Sequence, residues 1–178
     1  MTDSSSAAGC VKRAPQHCRT AIEMLIRPFR PGEELVLRTL FHDSVHRLAT
    51  AHYTAEQLEA WAPVDFDAQA WSERIRGNRP FVVEGEDGDL LGYADLQADG
   101  HIDHFFVAAD AARRRVGTTL LVFLERRARQ LGIARLSADV SLCAQPLFHR
   151  NGFRVIERRM TVVRGVALAN ARMLKSLD

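Results

Sequence analysis

Three adjoining segments decide the fold of this chain: Ile102-Asp-His-Phe-Phe-Val107, Ala108–Arg115 and Val116-Gly-Thr-Thr-Leu-Leu121. The first is rich in aromatic and β-branched residues, which is typical of a strand, whereas the third begins a helical pattern. A strand that enters a helix through a compact loop leaves backbone N–H groups unpaired at the first helical turn. Those groups, with the three consecutive arginines at 113–115, predict a site for an anion such as phosphate. A solvated basic corner is the alternative interpretation of the arginines.

Upstream of these segments the sequence predicts one strand followed by three helices. Apolar residues alternate over Ile22–Ile26, which indicates a strand, and Pro31-Gly32 then opens the first helix. Thr54-Ala-Glu-Gln57 has the form of a capping box, so a second, short helix is expected to begin at Thr54. Asp67 is expected to cap a third helix.

The rest of the chain predicts strands and turns around the central loop. A hairpin at Phe81–Leu96 precedes a strand at His101–Val107, so three antiparallel strands are expected in a row. Further along we expect a strand at Leu136–Ser141, a short helix at Pro146–Arg150, and a final hairpin around Arg164-Gly165. This order predicts an α/β fold, in which one mixed, mostly antiparallel sheet of about seven strands has helices on both faces.

Composition is that of an ordinary single-domain globular protein. The chain has 178 residues, 47% of them hydrophobic, and 24 Lys plus Arg against 22 Asp plus Glu give a net charge of +2. This charge argues against a nucleic-acid or polybasic membrane binder, and the longest apolar run, Leu120–Leu124, is too short to span a bilayer. The opening residues lack the apolar stretch of a signal peptide, and the three cysteines form no disulfide framework. We therefore expect a cytoplasmic protein, without nucleic acid or membrane as partner, that has a flexible tail at residues 1–20 and one domain at residues 21–178.

The domain resembles the GNAT superfamily of acyl-CoA-dependent N-acetyltransferases, and in particular a small bacterial branch of it. In that family the loop reads Gln/Arg-x-x-Gly-x-Gly/Ala and grips the pyrophosphate of CoA. Here the loop falls on Ala112-Arg-Arg-Arg-Val-Gly117, of which only the final glycine matches. Ala144, Phe148 and Asn151-Gly152-Phe153 are similar to the family's Ala-x-x-Phe-Tyr-x-x-x-Gly-Phe helix and turn.

The resemblance implies acetyl-CoA as the co-substrate and no metal. It implies that a backbone N–H near Phe106 or Val107 stabilises the oxyanion of the reaction. Arg115 replaces a family glycine, and we expect a local cost of about 1–3 kcal/mol if that position takes a positive φ. The implied cofactor-binding residues are Phe105, Phe106, Val107, Ala112, Arg113, Arg114, Arg115, Val116, Gly117, Thr118, Ser141 and Phe148.

The resemblance also implies a base on the strand that precedes the loop. The matching position is His101, and Asp103 shares its face of the strand at period two. An imidazole with an ordinary pKa near 6.5 suits a base at neutral pH, although a half-exposed structural histidine is the alternative. The family's acid is a tyrosine at the position of Phe148, which has no hydroxyl, so Ser141 or Cys143 is expected to supply the proton instead.

Candidates for the acceptor side come from the helices after the first strand and from the neighbouring hairpin. They are His46, Tyr53, Trp61 and Asp95, of which Asp95 could hold a cationic amine, whereas the pattern around Trp61 favours a core anchor at the end of an amphipathic helix over a substrate contact. His42 and His46 lie one helical turn apart, but no third ligand is nearby, so we expect no metal site.

Together these features imply an enzyme that moves an acetyl group from acetyl-CoA to a primary amine of a small molecule or peptide by direct nucleophilic attack. The alternative is a CoA-binding regulatory or structural protein without turnover, which Ala112, Arg115 and Phe148 together indicate. Because the last strands of this family often mediate pairing, a homodimer is a further expectation.

Overall fold

Two four-stranded sheets with helices on both faces form the protein, and the computed structural model describes residues 24–177 of it. Within that range the strands are β1 (Leu25–Pro28), β2 (Phe81–Glu84), β3 (Leu90–Ala94), β4 (His101–Ile102), β5 (Phe105–Val107), β6 (Arg135–Ser141), β7 (Arg154–Val163) and β8 (Val166–Ser176). The helices are α1 (Glu34–Leu48), α2 (Ala55–Trp61), α3 (Ala68–Asn78), α4 (Val116–Gln130) and α5 (Gln145–Arg150), and a 3₁₀ turn covers Ala109–Ala111. The predicted mixed α/β architecture is confirmed, whereas the predicted tail at residues 1–20 lies outside the described residues.

The strand predicted at His101–Val107 is two strands, and each belongs to a different sheet. The first sheet has the order β1-β2-β3-β5 and is antiparallel throughout. The second has the order β4-β6-β8-β7, in which only β4 and β6 are parallel. The single sheet of about seven strands is therefore corrected to two sheets of four.

The carboxylate of Asp95 causes the break between β4 and β5. Its Oδ1 accepts the backbone N–H groups of Asp103 at 3.0 Å and His104 at 2.6 Å. These two amides are therefore bound to a side chain instead of a neighbouring strand, and the chain changes partner from β6 to β3 at this point.

Local signals in the sequence correspond to the observed helix ends. Thr54 and Gln57 form both hydrogen bonds of the predicted capping box, and Asp67 caps α3 through the backbone N–H groups of Gln69 and Ala70. Among the described residues the first strand covers Leu25–Pro28, where it pairs with β2 and continues past the predicted end at Ile26. Part of that predicted strand lies outside the described residues.

Each face of the two sheets has its own hydrophobic core. One contains the buried side of α4 with Leu120, Leu121 and Leu124, and the other contains residues of α1, α2 and α3. Among residues 24–177, no helix combines the length and the apolar character needed to cross a membrane.

Candidate active site

The site lies where β5 and β6 diverge. β4 is paired in parallel with β6 through His101–Ser137 and Ile102–Ala138, but β5 is paired with β3 instead. The last residues of β6 are consequently separated from β5 by a wedge-shaped gap. Such a gap between two strands exposes backbone groups that a continuous sheet would satisfy.

Two cavities lie along this gap. The loop-side cavity, of about 260 Å³, is bounded by the start of α4, by β5 and by α5. The sheet-side cavity, of about 280 Å³, lies over β6, β7 and β8. The residues that line both cavities are Trp61, Phe105, Phe106, Ser141 and Ala144. The two cavities therefore meet at the gap.

The register of β3 and β5 determines which β5 amides face the gap. Opposite residues in an antiparallel pair alternate between hydrogen-bonded and non-hydrogen-bonded positions. Ala108 donates its backbone N–H to the carbonyl of Leu91 at 2.9 Å, so Phe106 is a hydrogen-bonded position and Val107 is not. The N–H groups of Val107 and Phe105 therefore point away from β3 and toward the gap.

The loop before α4 presents several unpaired backbone donors. Among the described residues, no protein acceptor is found for the N–H groups at positions 113 and 115–118. Arg113 has a φ of 63° and Arg115, the N-cap of α4, has a φ of 68°. Alternating backbone conformations of this kind turn consecutive amides toward one point and favour an anion there.

Arg115 therefore has a positive φ, the backbone conformation that a glycine at this position would adopt without strain. An arginine in this conformation costs about 1–2 kcal/mol relative to an ordinary backbone conformation. Gly117, which matches the family, has a different reason to be small. A Cβ atom built there would lie 2.6 Å from Cδ2 of Leu147, so glycine permits α4 to approach α5 closely.

Most of the predicted cofactor residues line the loop-side cavity. Those that do are Phe105, Phe106, Val107, Ala112, Arg113, Arg115, Val116, Gly117, Thr118 and Ser141. Arg114 does not, because it belongs to a separate surface groove beside Asp110. Phe148 lines the sheet-side cavity, where its buried ring contacts Phe105 and Phe153 at 5.0 Å each.

Two protic side chains, those of Ser141 and Cys143, lie close together in the loop-side cavity. The Ser141 Oγ and Cys143 Sγ atoms are 3.3 Å apart, and both residues line the loop-side cavity. Burial raises the pKa of the Cys143 thiol above its ordinary value, so the thiol stays protonated at neutral pH. Of these two residues, only Ser141 also lines the sheet-side cavity.

The predicted acceptor residues divide into two groups. Tyr53 and Trp61 line the sheet-side cavity, and their rings are in edge-to-face contact at 5.6 Å. The Tyr53 hydroxyl donates to the carbonyl of Ala169 at 2.6 Å, and burial raises its pKa. His46 lies outside both cavities, because its Nε2 atom is 2.9 Å from the carbonyl oxygen of Ala62.

Asp95 is not available to a substrate. It is completely buried, and besides the backbone donors at the β4–β5 break it accepts a hydrogen bond from Gln97. Burial raises its pKa, against the opposing effect of those hydrogen bonds. The expectation that Asp95 holds an amine is therefore corrected to a structural role.

The structure separates the two predicted catalytic residues. Asp103 lines the sheet-side cavity and accepts hydrogen bonds from Arg74 and Asn78, both at 2.9 Å. Burial would raise its pKa, but these hydrogen bonds outweigh burial and lower it below the ordinary value. His101 lies outside both cavities, with its Nδ1 atom 3.2 Å from the hydroxyl of Ser137.

Some residues of the sheet-side cavity were not anticipated from the sequence. Asp139, Thr161 and Asn170 lie on three strands of the second sheet, and each lines this cavity. Asp139 is one alternation before Ser141 on β6, so period-two reasoning from Ser141 could have found it. Thr161 and Asn170 required knowledge of the strand order.

A neighbouring buried histidine is neutral. His104 is surrounded by the rings of Phe41, Trp71, Tyr93 and Phe106. Desolvation lowers its pKa to about 4, against the opposing attraction of Asp103. It therefore contributes no positive charge to the site at neutral pH.

The histidine pair on α1 has packing contacts and no additional ligands. The rings of His42 and His46 are stacked, with their centroids 4.2 Å apart. Across residues 24–177 there is no group of three or more His, Cys, Asp or Glu side chains arranged to hold a metal ion.

Sequence comparisons identify relatives over most of the chain. The profile of a family described as an acetyltransferase (GNAT) domain matches residues 49–175. A protein of Escherichia coli K12, named uncharacterized N-acetyltransferase YafP, is 28% identical over 148 residues, which cover 83% of this chain and 93% of that protein.

Solved structures have the same fold. A GCN5-related N-acetyltransferase from Rhodopseudomonas palustris superposes with a TM-score of 0.81 at 33% identity, covering 85% of this chain and 94% of that one. YncA from Salmonella typhimurium, solved with its cofactor acetyl-CoA, has a TM-score of 0.63 at 22% identity and covers 88% of this chain and 95% of its own. At the latter identity the likeness concerns the fold alone.

Proposed function

The chain belongs to the acetyltransferase (GNAT) family, and on that premise we propose that it moves an acetyl group from acetyl-CoA to a primary amine of a small molecule or peptide. The observation that carries this proposal is the gap between β5 and β6, because it joins an anion site to a second, separate cavity. A thioester donor entering from one side and an amine entering from the other would meet there.

The loop-side cavity is proposed to hold the donor. The unpaired amides at the start of α4, together with Arg113 and Arg115, would bind the pyrophosphate of acetyl-CoA. The pantetheine arm would then extend along β5, and the thioester carbonyl would accept a hydrogen bond from the backbone N–H of Val107.

The sheet-side cavity is proposed to hold the amine. Its neutral nitrogen attacks the thioester carbonyl carbon, a C–N bond forms, and the tetrahedral intermediate then breaks its C–S bond. The nitrogen loses a proton to water, and the Ser141 hydroxyl relays a proton from that water to the departing thiolate, accepting one proton as it donates its own. Ser141 suits this role because it lines both cavities. A thiol with an ordinary pKa near 8.5 needs little help to leave, so the absence of a tyrosine hydroxyl at Phe148 is compatible with turnover.

An amine panel tests the proposed reaction against the alternative without turnover. The purified chain is incubated with acetyl-CoA and with diamines, amino acids, aminoglycosides and peptides, and CoA release and acetylated product are both measured. Product from at least one amine supports the transferase. A thermal shift with acetyl-CoA in the absence of any product would instead favour a CoA-binding protein, since a ligand at 100 times its Kd stabilises a fold by about 2.7 kcal/mol.

Asp103→Asn is expected to lower kcat/KM for the amine by roughly 10- to 100-fold, because we propose that this carboxylate orients the amine in the sheet-side cavity. Its depressed pKa keeps it ionised throughout pH 6–9, so the wild-type rate should rise with pH only as the free amine loses its proton. Steady-state kinetics across that range measure both effects.

His101→Ala is the matched control for Asp103→Asn. The hypothesis that His101 is the base predicts that this variant loses a step in the pH profile of the rate. Because His101 lies outside both cavities, we expect its pH profile to match that of the wild type. Loss of an inflection in His101→Ala, with full activity in Asp103→Asn, would reverse the two assignments.

A homodimer through β7 is part of the proposal. β7 is the outer strand of the second sheet, and Ile156, Met160 and Val162 on it are each at least 60% exposed. We expect sedimentation velocity to detect a dimer that Met160→Glu converts to a monomer, because a buried charge opposes such an apolar contact. Leu35→Glu, at an exposed apolar position on α1, should leave the dimer intact; a monomeric wild type would contradict this assembly.

A further inference from the structure

The Trp61 indole stands at the junction of the two cavities. It lines both of them, and its ring contacts those of Tyr53 at 5.6 Å and Phe106 at 6.3 Å. The other tryptophan, Trp71, donates its Nε1–H to the carbonyl of Glu34 at 2.7 Å. Within residues 24–177 no protein acceptor is found for the corresponding group of Trp61, so no side-chain hydrogen bond to the protein fixes this indole.

The helix that carries Trp61 is too short to hold its own position. α2 has seven residues and is followed by Pro63, and an isolated helix of this length is unstable in water. Three side chains from other elements bind the carbonyl groups at its end. They are Arg164, which donates to Ala60 at 2.7 Å, His46, which donates to Ala62 at 2.9 Å, and Arg38, which donates to Pro63.

Arg164 differs from the other two donors because it comes from an exposed turn. It joins β7 to β8 and has a φ of 48°, and Gly165 after it has a φ of 82°. Two-residue hairpin turns with positive φ at both positions favour Asn, Asp or Gly. The conformation of the turn therefore does not explain why position 164 is an arginine. Its contact with α2 does, because a cation beside the carbonyl end of a helix is favourable.

We propose that Arg164 is a positioning residue for acetyl transfer: its guanidinium holds the end of α2 and thereby fixes the Trp61 indole between the donor and the acceptor. This inference rests on the proposed function. Arg38 and His46 support the same helix end, but Arg38 is buried against Phe41, Phe66 and Trp71, so its loss would also disturb the core. Arg164 can be changed without touching that core.

Arg164→Asn separates the hydrogen bond from the turn. Asparagine tolerates the left-handed conformation but is too short to reach Ala60. We expect this variant to retain the thermal stability of the fold and to raise KM for the amine roughly tenfold, which is less than the 10²-fold that a 1 Å misplacement can cause. Affinity for acetyl-CoA should stay near the wild-type value, because the loop before α4 is unchanged. Arg164→Lys, which keeps the charge and most of the reach, should restore part of the loss.

Two further measurements distinguish positioning from a general structural effect. Acrylamide should quench tryptophan fluorescence more strongly in Arg164→Asn, because Trp61 becomes mobile while Trp71 stays hydrogen-bonded. In a Trp61→Phe background, Arg164→Asn should add no further loss of kcat/KM, since coupled residues are non-additive. The proposal would be overturned if acrylamide quenching were the same in Arg164→Asn and the wild type. It would also be overturned if Arg164→Asn lowered kcat/KM by the same factor in the wild-type and Trp61→Phe backgrounds. Quenching needs no turnover, so it tests the support of Trp61 by Arg164 separately from the proposed function: a wild type that acetylates no amine would refute that function, whereas unchanged quenching would refute the support.

Discussion

Replacing Val107 by proline is expected to lower kcat by roughly 10²- to 10³-fold, the effect of removing one donor from an oxyanion site. Proline has no N–H, and the amide of Val107 points into the gap where the thioester carbonyl would lie. Because this group stabilises charge that develops only in the transition state, KM for acetyl-CoA should change little. Stopped-flow or steady-state detection of CoA release measures both parameters.

The fold should tolerate this proline better than one at the adjacent position. Val107 does not use its N–H in the pairing of β5 with β3, so the substitution leaves that ladder intact, whereas Phe106→Pro would remove a hydrogen bond to β3. Val107→Ala keeps the N–H and should remain close to wild-type activity. If Val107→Pro folds, binds acetyl-CoA and turns over normally, the oxyanion is not bound at this amide.

The parts of the fold that could be predicted from sequence are those set by local chemistry. The capping box at Thr54, the cap at Asp67 and the turn at Arg164-Gly165 depend on neighbours within four residues. Apolar periodicity located α4 for the same reason, since its buried stripe follows the helical period. The sequence signals for these features lie within a few residues of each other, so they can be recognised without knowledge of the rest of the fold.

The break between β4 and β5 could not be predicted in this way. It depends on Asp95, whose carboxylate binds amides eight and nine residues away, beyond the turn at residues 98–100. From sequence alone Asp95 is a charged residue at a strand end, which led to its assignment as a substrate contact. Its burial reverses that interpretation, because a buried carboxylate must be satisfied by donors of the protein itself.

The candidate site was predictable in its chemistry and less so in its geometry. Strand alternation placed His101 and Asp103 on one face, but it did not reveal that only Asp103 reaches a cavity. Likewise three consecutive arginines predicted an anion site, yet the positive φ angles at Arg113 and Arg115 turn Arg114 to a different groove. Side-chain direction in a loop depends on backbone conformation, which composition does not specify.

Gly100→Ala is expected to destabilise the fold by about 3–5 kcal/mol, because this glycine closes the narrow end of the gap. Its carbonyl accepts the N–H of Ser137 at 3.0 Å, next to the first residue pair of β4 and β6. Its φ is +85°, and a Cβ atom built there would lie 2.2 Å from the carbonyl oxygen of Arg135. That oxygen belongs to backbone within β6, so the strand itself would have to move.

Gly132→Ala measures the conformational part of this effect alone, so the difference between the two variants gives the steric part. Gly132 has a φ of +72° with no atom within 4 Å of a built Cβ, so only the conformational cost of about 1–2 kcal/mol applies there. Denaturant melts of the two variants should therefore differ by about 2–3 kcal/mol, the energy of a clash that neither strand can relieve. If both variants lose the same stability, β4 can move away from β6 at little cost. The gap would then be a hinge, and its width would depend on the bound donor instead of being fixed by the fold.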